Sequence, residues 1–138
     1  MSKIAITYGD FDCLNKLHFH LIKEMRKVSL PDNLIGIVLP DDYPVFVNTG
    51  HFPIQKMEHR FNNACYLCKA IHQSFSADPS SIFELLISEA KRLGDKLVYV
   101  GYDDEKDFPG KKVLQANNIP MKFIKKSKLY GQQETKDN

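Results

Sequence analysis

Three short apolar runs, "IAI" (Ile4 to Ile6), "LIGIVL" (Leu34 to Leu39) and "LVYV" (Leu97 to Val100), alternate with stretches in which apolar residues recur every three or four positions. Runs this short, rich in β-branched residues and closed by glycine or proline, read as buried strands. The longer spacing reads as helices with one buried face. Strands that alternate with helices form a parallel sheet covered on both faces, with right-handed crossovers. The chain is therefore expected to be an α/β protein.

The boundaries follow from local chemistry. A first strand spans 3–8 and ends at Gly9, and Leu14, Leu17, Leu21, Ile22, Met25 and Val28 carry the first helix. "LPDN" breaks that helix; "NLIGIVL" is the second strand, stopped by Pro40 and the pair Asp41-Asp42. "DDYPVFVNTGHFPIQKM" holds two prolines and a glycine and reads as an irregular loop or hairpin. From Glu58 to Phe75, the residues Phe61, Ala64, Cys65, Cys68, Ile71 and Phe75 share one helical stripe, which predicts a single helix. Asp78 is placed to cap the next helix, with Pro79 in its first turn, where a missing N–H is harmless. Phe83, Leu86, Ile87, Ala90 and Leu93 form its buried face, and Gly94 supplies the stop. "KLVYVGY" is the third strand, "GKKVLQANN" a short helix and "IPMKFIKK" the last strand. The expected order is β-α-β-α-α-β-α-β.

Composition narrows the function classes. At 138 residues the chain can bury a core in one domain without staples. A net charge of +2 is too small to argue for nucleic acid or an anionic membrane. No apolar run approaches the roughly 20 residues that cross a bilayer. "MSKIAITYGD" lacks the apolar centre of a signal peptide, and three irregularly spaced cysteines make no disulfide framework. A reduced, cytoplasmic protein is the expectation. Cys65, Cys68 and His72 invite a zinc reading, but no second CxxC completes four ligands, so core packing is the better account and no metal ligand is assigned.

In a parallel sheet of this kind, ligands sit beyond the carboxyl ends of the strands, where the strand order reverses. Those ends are Tyr8-Gly9-Asp10, Pro40-Asp41-Asp42 and Gly101-Tyr102-Asp103-Asp104, all polar, turn-forming and acidic. Four stretches there resemble the nucleotidylyltransferase superfamily, and among its members the glycerol-3-phosphate cytidylyltransferases. "ITYGDFDCLNKLHFHLI" is similar to the family's opening "TYGTFDLLHxGHxxLL", "LIGIVLPDDY" to its second strand and acidic turn, "EHR" (Glu58-His59-Arg60) to the start of the following helix, and "VYVGYDDEKDF" to the strand that ends in Gly-Asp-Asp. Their order and separations fit nearly the whole chain.

The resemblance implies a Rossmann-like nucleotide-binding domain over 1–130, followed by a polar tail at 131–138. It implies a nucleotidyltransferase that passes a nucleotidyl group, cytidylyl foremost, from a nucleoside triphosphate to a phosphorylated alcohol or sugar, with Mg²⁺ as cofactor and a homodimer or larger assembly. His18 and Asn15 would be the catalytic donors. Tyr8, Gly9, Asp10, Phe11, Arg60, Gly101, Asp103 and Lys126 would bind the nucleotide and its phosphates. His20, about 200° further round the helix, would face elsewhere. The departures motivate an alternative. Asp10 stands where the family has threonine, and Asn15 and Leu17 replace the first histidine and the glycine of HxGH. The late "RTxGISTT" falls on "KSKLYGQQ", where Lys126 keeps a charge without arginine's planar grip. The alternative is a catalytically degenerate relative that serves as a nucleotide-binding or protein-assembly module.

Overall fold

The computed structural model describes residues 3–9, 11–14, 16–29, 33–40, 54–74, 78–102, 108 and 110–125. Five parallel strands, β1 (Lys3–Gly9), β2 (Leu34–Val38), β3 (Ala70–Gln73), β4 (Lys96–Tyr102) and β5 (Met121–Ile124), form one sheet in the order β3-β2-β1-β4-β5. The connecting helices are α1 (Lys16–Val28), α2 (Met57–Leu67), α3 (Ser80–Leu93) and α4 (Lys111–Ala116). This is the expected α/β, Rossmann-like architecture with helices on both faces.

Strand alternation divides the core into two layers. Ala5, Leu34, Val38 and Val100 pack with Leu21, Ile22 and Met25 of α1 and Ala64 and Leu67 of α2. Ile6, Ile37, Leu97 and Tyr99 point the other way, onto Phe83, Leu86, Ile87 and Ala90 of α3 and Leu114 of α4. The stop of α3 came out as expected, whereas at its start Pro79 takes the N-cap position before Ser80 and Asp78 stands one residue further out. Asp78 Oδ1 accepts the Ser80 N–H at 2.9 Å, and Gly94 takes a left-handed φ of 74° where its N–H caps the last turn. Leu93, placed on the buried face from its spacing, is the last residue of α3 and is 59% exposed, while Ala90 in the same turn stays buried.

One element departs from the sequence expectation. The helix read from Glu58 to Phe75 stops at Leu67, and Ala70–Gln73 forms β3 (Phe75 lies outside the described residues). At Cys68 the backbone turns extended, φ −124° and ψ 149°. From there it finds partners on β2: Lys69 N–H donates to Leu34 O at 3.0 Å and Ser74 N–H to Val38 O at 2.8 Å. An otherwise unpaired edge of β2 outbids one more turn of helix. The face of α2 is also rotated from the predicted stripe. Arg60, Ala64 and Leu67 are its buried residues, while Cys65 is exposed and Tyr66 is 83% exposed. A charged residue on the core side disguised the pattern.

Candidate functional site

The sheet opens where its connections diverge. β1 pairs with β4 from Lys3–Lys96 to Ile6–Tyr99, whereas on its other side it stays paired with β2 as far as Gly9–Val38. β1 and β4 thus part before their carboxyl ends, at the point where α1 leaves towards one face and the helices after β3 and β4 cover the other.

Gly9 lies on the α1 side of β1, and a Cβ placed on it would meet nothing within 4 Å. The turn that follows bends twice through the left-handed region, at Phe11 (φ 52°) and Cys13 (φ 43°). The Phe11 ring dives into the core, only 2% exposed, and lies against Gly36 of β2, where an added Cβ would come within 3.2 Å of its Cζ. It also stacks on His18, centroids 6.1 Å apart and planes 26° apart. His18 is half-buried in the first turn of α1, so the imidazole rests against Phe11 at the helix N-terminus, where backbone amides suit an anion.

The other expected residues divide. The Tyr8 ring faces the α3 layer, 6.0 Å from Phe83 and 6.1 Å from both Tyr99 and Phe108. Gly101 lies under the Tyr99 ring; a Cβ there would fall 2.7 Å from Tyr99 Oη. Arg60 is fully buried, its Nε donating to Gln55 O at 3.1 Å and its Nη1 to Leu39 O at 2.7 Å. Asp10, Asn15, Asp103 and Lys126 lie outside the described residues, as do Asp41, Asp42 and Asp104. On β5, Lys122 turns to Glu24 of α1 at 3.5 Å, where Lys27 also sits at 2.9 Å. His20 is half-buried, 4.0 Å from the same carboxylate.

Two residues beside the turn carried no signal in the sequence, Gln55 and Asn63, and a third, Asp12, lay within the opening motif without being singled out. Their bonds join the turn after β1 to the start of α2 across 42 to 52 residues. Asp12, set between two left-handed residues, could have been suspected as a turn-former; Gln55 and Asn63 could not.

Cys68 is buried, and burial, with Cys65 adding and Arg26 opposing, pushes its thiol up to about 12. Among the described residues no group of three or more His, Cys, Asp or Glu is arranged to hold a metal ion, and no helix is long and apolar enough to cross a membrane.

Compared with protein-family models and with curated proteins, the sequence finds no match. Among solved structures it is similar to the lipopolysaccharide core biosynthesis protein from Thermoplasma volcanium GSS1, with a TM-score of 0.57 and 18% identity. The match covers 91% of this chain and 96% of that one. The two share a fold over almost their whole lengths.

Proposed function

We propose that the chain is a nucleotidyltransferase that moves a nucleotidyl group, cytidylyl first among the candidates, from a nucleoside triphosphate to a phosphorylated alcohol or sugar. The observation that carries this reading is the open space over Gly9, beside the α1 N-terminus and a His18 stacked on Phe11. In the reaction, a phosphate oxygen of the acceptor bonds to the α-phosphorus, the α–β bridging P–O bond breaks, and pyrophosphate leaves. Charge builds on the transferred phosphate and the leaving group, so fixed N–H donors do most of the work. His18 and the α1 amides supply donors, and Gly9 lets a phosphate approach the backbone. Asn15, Asp10, Asp103 and Lys126 take their roles from the resemblance alone. The similar protein's place in lipopolysaccharide core biosynthesis is compatible with a sugar-phosphate acceptor.

For Arg60, burial and two carbonyl partners support a role in fixing Leu39 and Gln55 rather than gripping the leaving group. Among the described residues no group of three or more His, Cys, Asp or Glu is arranged for Mg²⁺, and both Asp12 oxygens accept backbone N–H groups. Mg²⁺ would come with the triphosphate's own oxygens, and no step here depends on it.

A second reading, a binding or assembly module without turnover, is favoured by Leu17 in place of glycine and by the internal use of Arg60. Calorimetric titration with CTP and then ATP, with and without Mg²⁺, separates these readings when followed by a pyrophosphate-release assay across phosphorylated acceptors. Micromolar binding with turnover supports the enzyme, and His18→Ala should then lower turnover by about 10²–10³. Binding without turnover supports the module. No heat at millimolar triphosphate removes the nucleotide reading, and a stable homodimer or hetero-complex would then be sought by size exclusion.

A further inference from the structure

The turn after β1 is bonded to the segment entering α2 by side chains that the nucleotide reading leaves unused. Asp12 Oδ2 accepts the Ile54 N–H at 2.7 Å, and its Oδ1 accepts the Gln55 N–H at 2.8 Å. Gln55 answers from the other side: its Oε1 accepts the Cys13 N–H at 2.9 Å and an N–H of Asn63 at 2.6 Å. Asn63 Nδ2 also donates to Phe11 O at 2.9 Å. The Gln55 carbonyl is held by Arg60, whose second bond to Leu39 O leads back to β1, because Leu39 N–H donates to Gly9 O at 3.0 Å. The bonds close a loop through the ends of β1 and β2 and the start of α2.

This loop surrounds the two left-handed residues of the turn. A left-handed Phe or Cys is disfavoured by its own Cβ and persists where the surroundings over-determine it. Here the Phe11 carbonyl and the Cys13 amide, on either side of Asp12, are both tied to α2. We infer that Asp12, Gln55 and Asn63 are positioning residues, a clasp that holds the turn after β1 in its left-handed form and so presets the anion-binding face before a ligand arrives. The identity of that ligand, a nucleoside triphosphate, rests on the function proposed above; the clasp itself does not.

Gln55 offers the cleanest test, because its side chain enters both bonds as an acceptor through one oxygen. Gln55→Met removes the acceptor at similar size, and Gln55→Glu restores it; the residue is half-buried in the approach to α2 and belongs to neither core layer. Amide hydrogen exchange of the full chain, read by NMR, should show Cys13, Ile54 and Gln55 protected. In Gln55→Met the Cys13 amide should exchange about tenfold faster, the effect of losing one hydrogen bond, while Val98 and Val100 in β4 stay unchanged. Gln55→Glu should restore protection. CTP affinity, measured by titration calorimetry, should fall and recover in parallel. An unprotected Cys13 amide in the unmodified chain, no change in Gln55→Met, or a rise shared equally by β4 would overturn the clasp. Full CTP affinity in a Gln55→Met chain whose Cys13 amide is freed would overturn its positioning role. If the unmodified chain binds no CTP while Gln55→Met frees Cys13 alone, the clasp stands and the nucleotide reading falls.

Discussion

Gly36 gives the Phe11 ring its seat, and through that ring the site reaches the sheet interior. A Cβ at position 36 would lie 3.1 Å from Cys68 Sγ and 3.2 Å from Phe11 Cζ, tighter than ordinary contact, and both neighbours are buried. Gly36→Ala is expected to lose about 1–3 kcal/mol in urea unfolding, the range for overpacking a tight core. It should also displace the His18 ring resonances, since Phe11 stacks on that imidazole. The cysteines differ at the same scale. Cys13 and Cys65 are exposed, whereas Cys68 is buried with its thiol pushed up to about 12. Titration with an aromatic disulfide at neutral pH should find two fast thiols and a third that reacts only on unfolding, because the thiolate is the nucleophile. Three fast thiols would mean that the α2–β3 junction opens readily.

At the scale of elements, α1 is tied to β5 by one carboxylate. Glu24 takes Lys27 from its own helix at 2.9 Å and Lys122 from β5 at 3.5 Å. Its carboxyl is held below the ordinary glutamate range, chiefly by the Lys27 hydrogen bond, with burial opposing and Lys122 adding to the lowering. A carboxyl whose folded value lies below its unfolded one contributes stability above the unfolded value and loses it as pH falls through the folded one. The stability gap between the unmodified chain and Glu24→Gln should therefore be flat near neutrality and shrink as pH drops below about 4.3. A gap that persists in acid would mean packing, not charge, joins α1 to β5. For α3, the carboxylate of Asp78 satisfies the Ser80 amide, and Asp78→Ala should cost about 1 kcal/mol in thermal or urea unfolding.

Across the whole molecule, the parallel sheet separates the site from the opposite edge by the length of β1. Seven residues at about 3.3 Å each put the two ends of that strand roughly 20 Å apart. CTP should therefore shift the amide resonances of Gly9, His18 and Gly101 and leave Lys3 and Lys96, at the amino edge, unmoved. Shifts confined to the amino edge would contradict a site at the parting of β1 and β4. Binding to the folded state alone should also raise the melting temperature with ligand concentration.

Most of the architecture was legible in the sequence because it is written in short-range chemistry. The β-branched runs of β1, β2 and β4, the 3.6-residue spacing of α1 and α3, the Asp78–Ser80 bond and the Gly94 stop each act within a few residues of themselves. The motifs also pointed to the carboxyl edge where Gly9 and His18 lie. Only the tertiary structure decided β3 and the inward turn of Arg60, since Lys69 becomes a strand residue's neighbour by reaching Leu34, and Arg60 by reaching Leu39. It alone decided the clasp, in which Asp12 of the opening motif meets Gln55 across 43 residues and nothing local marks Gln55 as its partner. A hydrogen bond between distant residues leaves no periodicity in the chain, because its geometry exists only once the strands have set the two ends side by side.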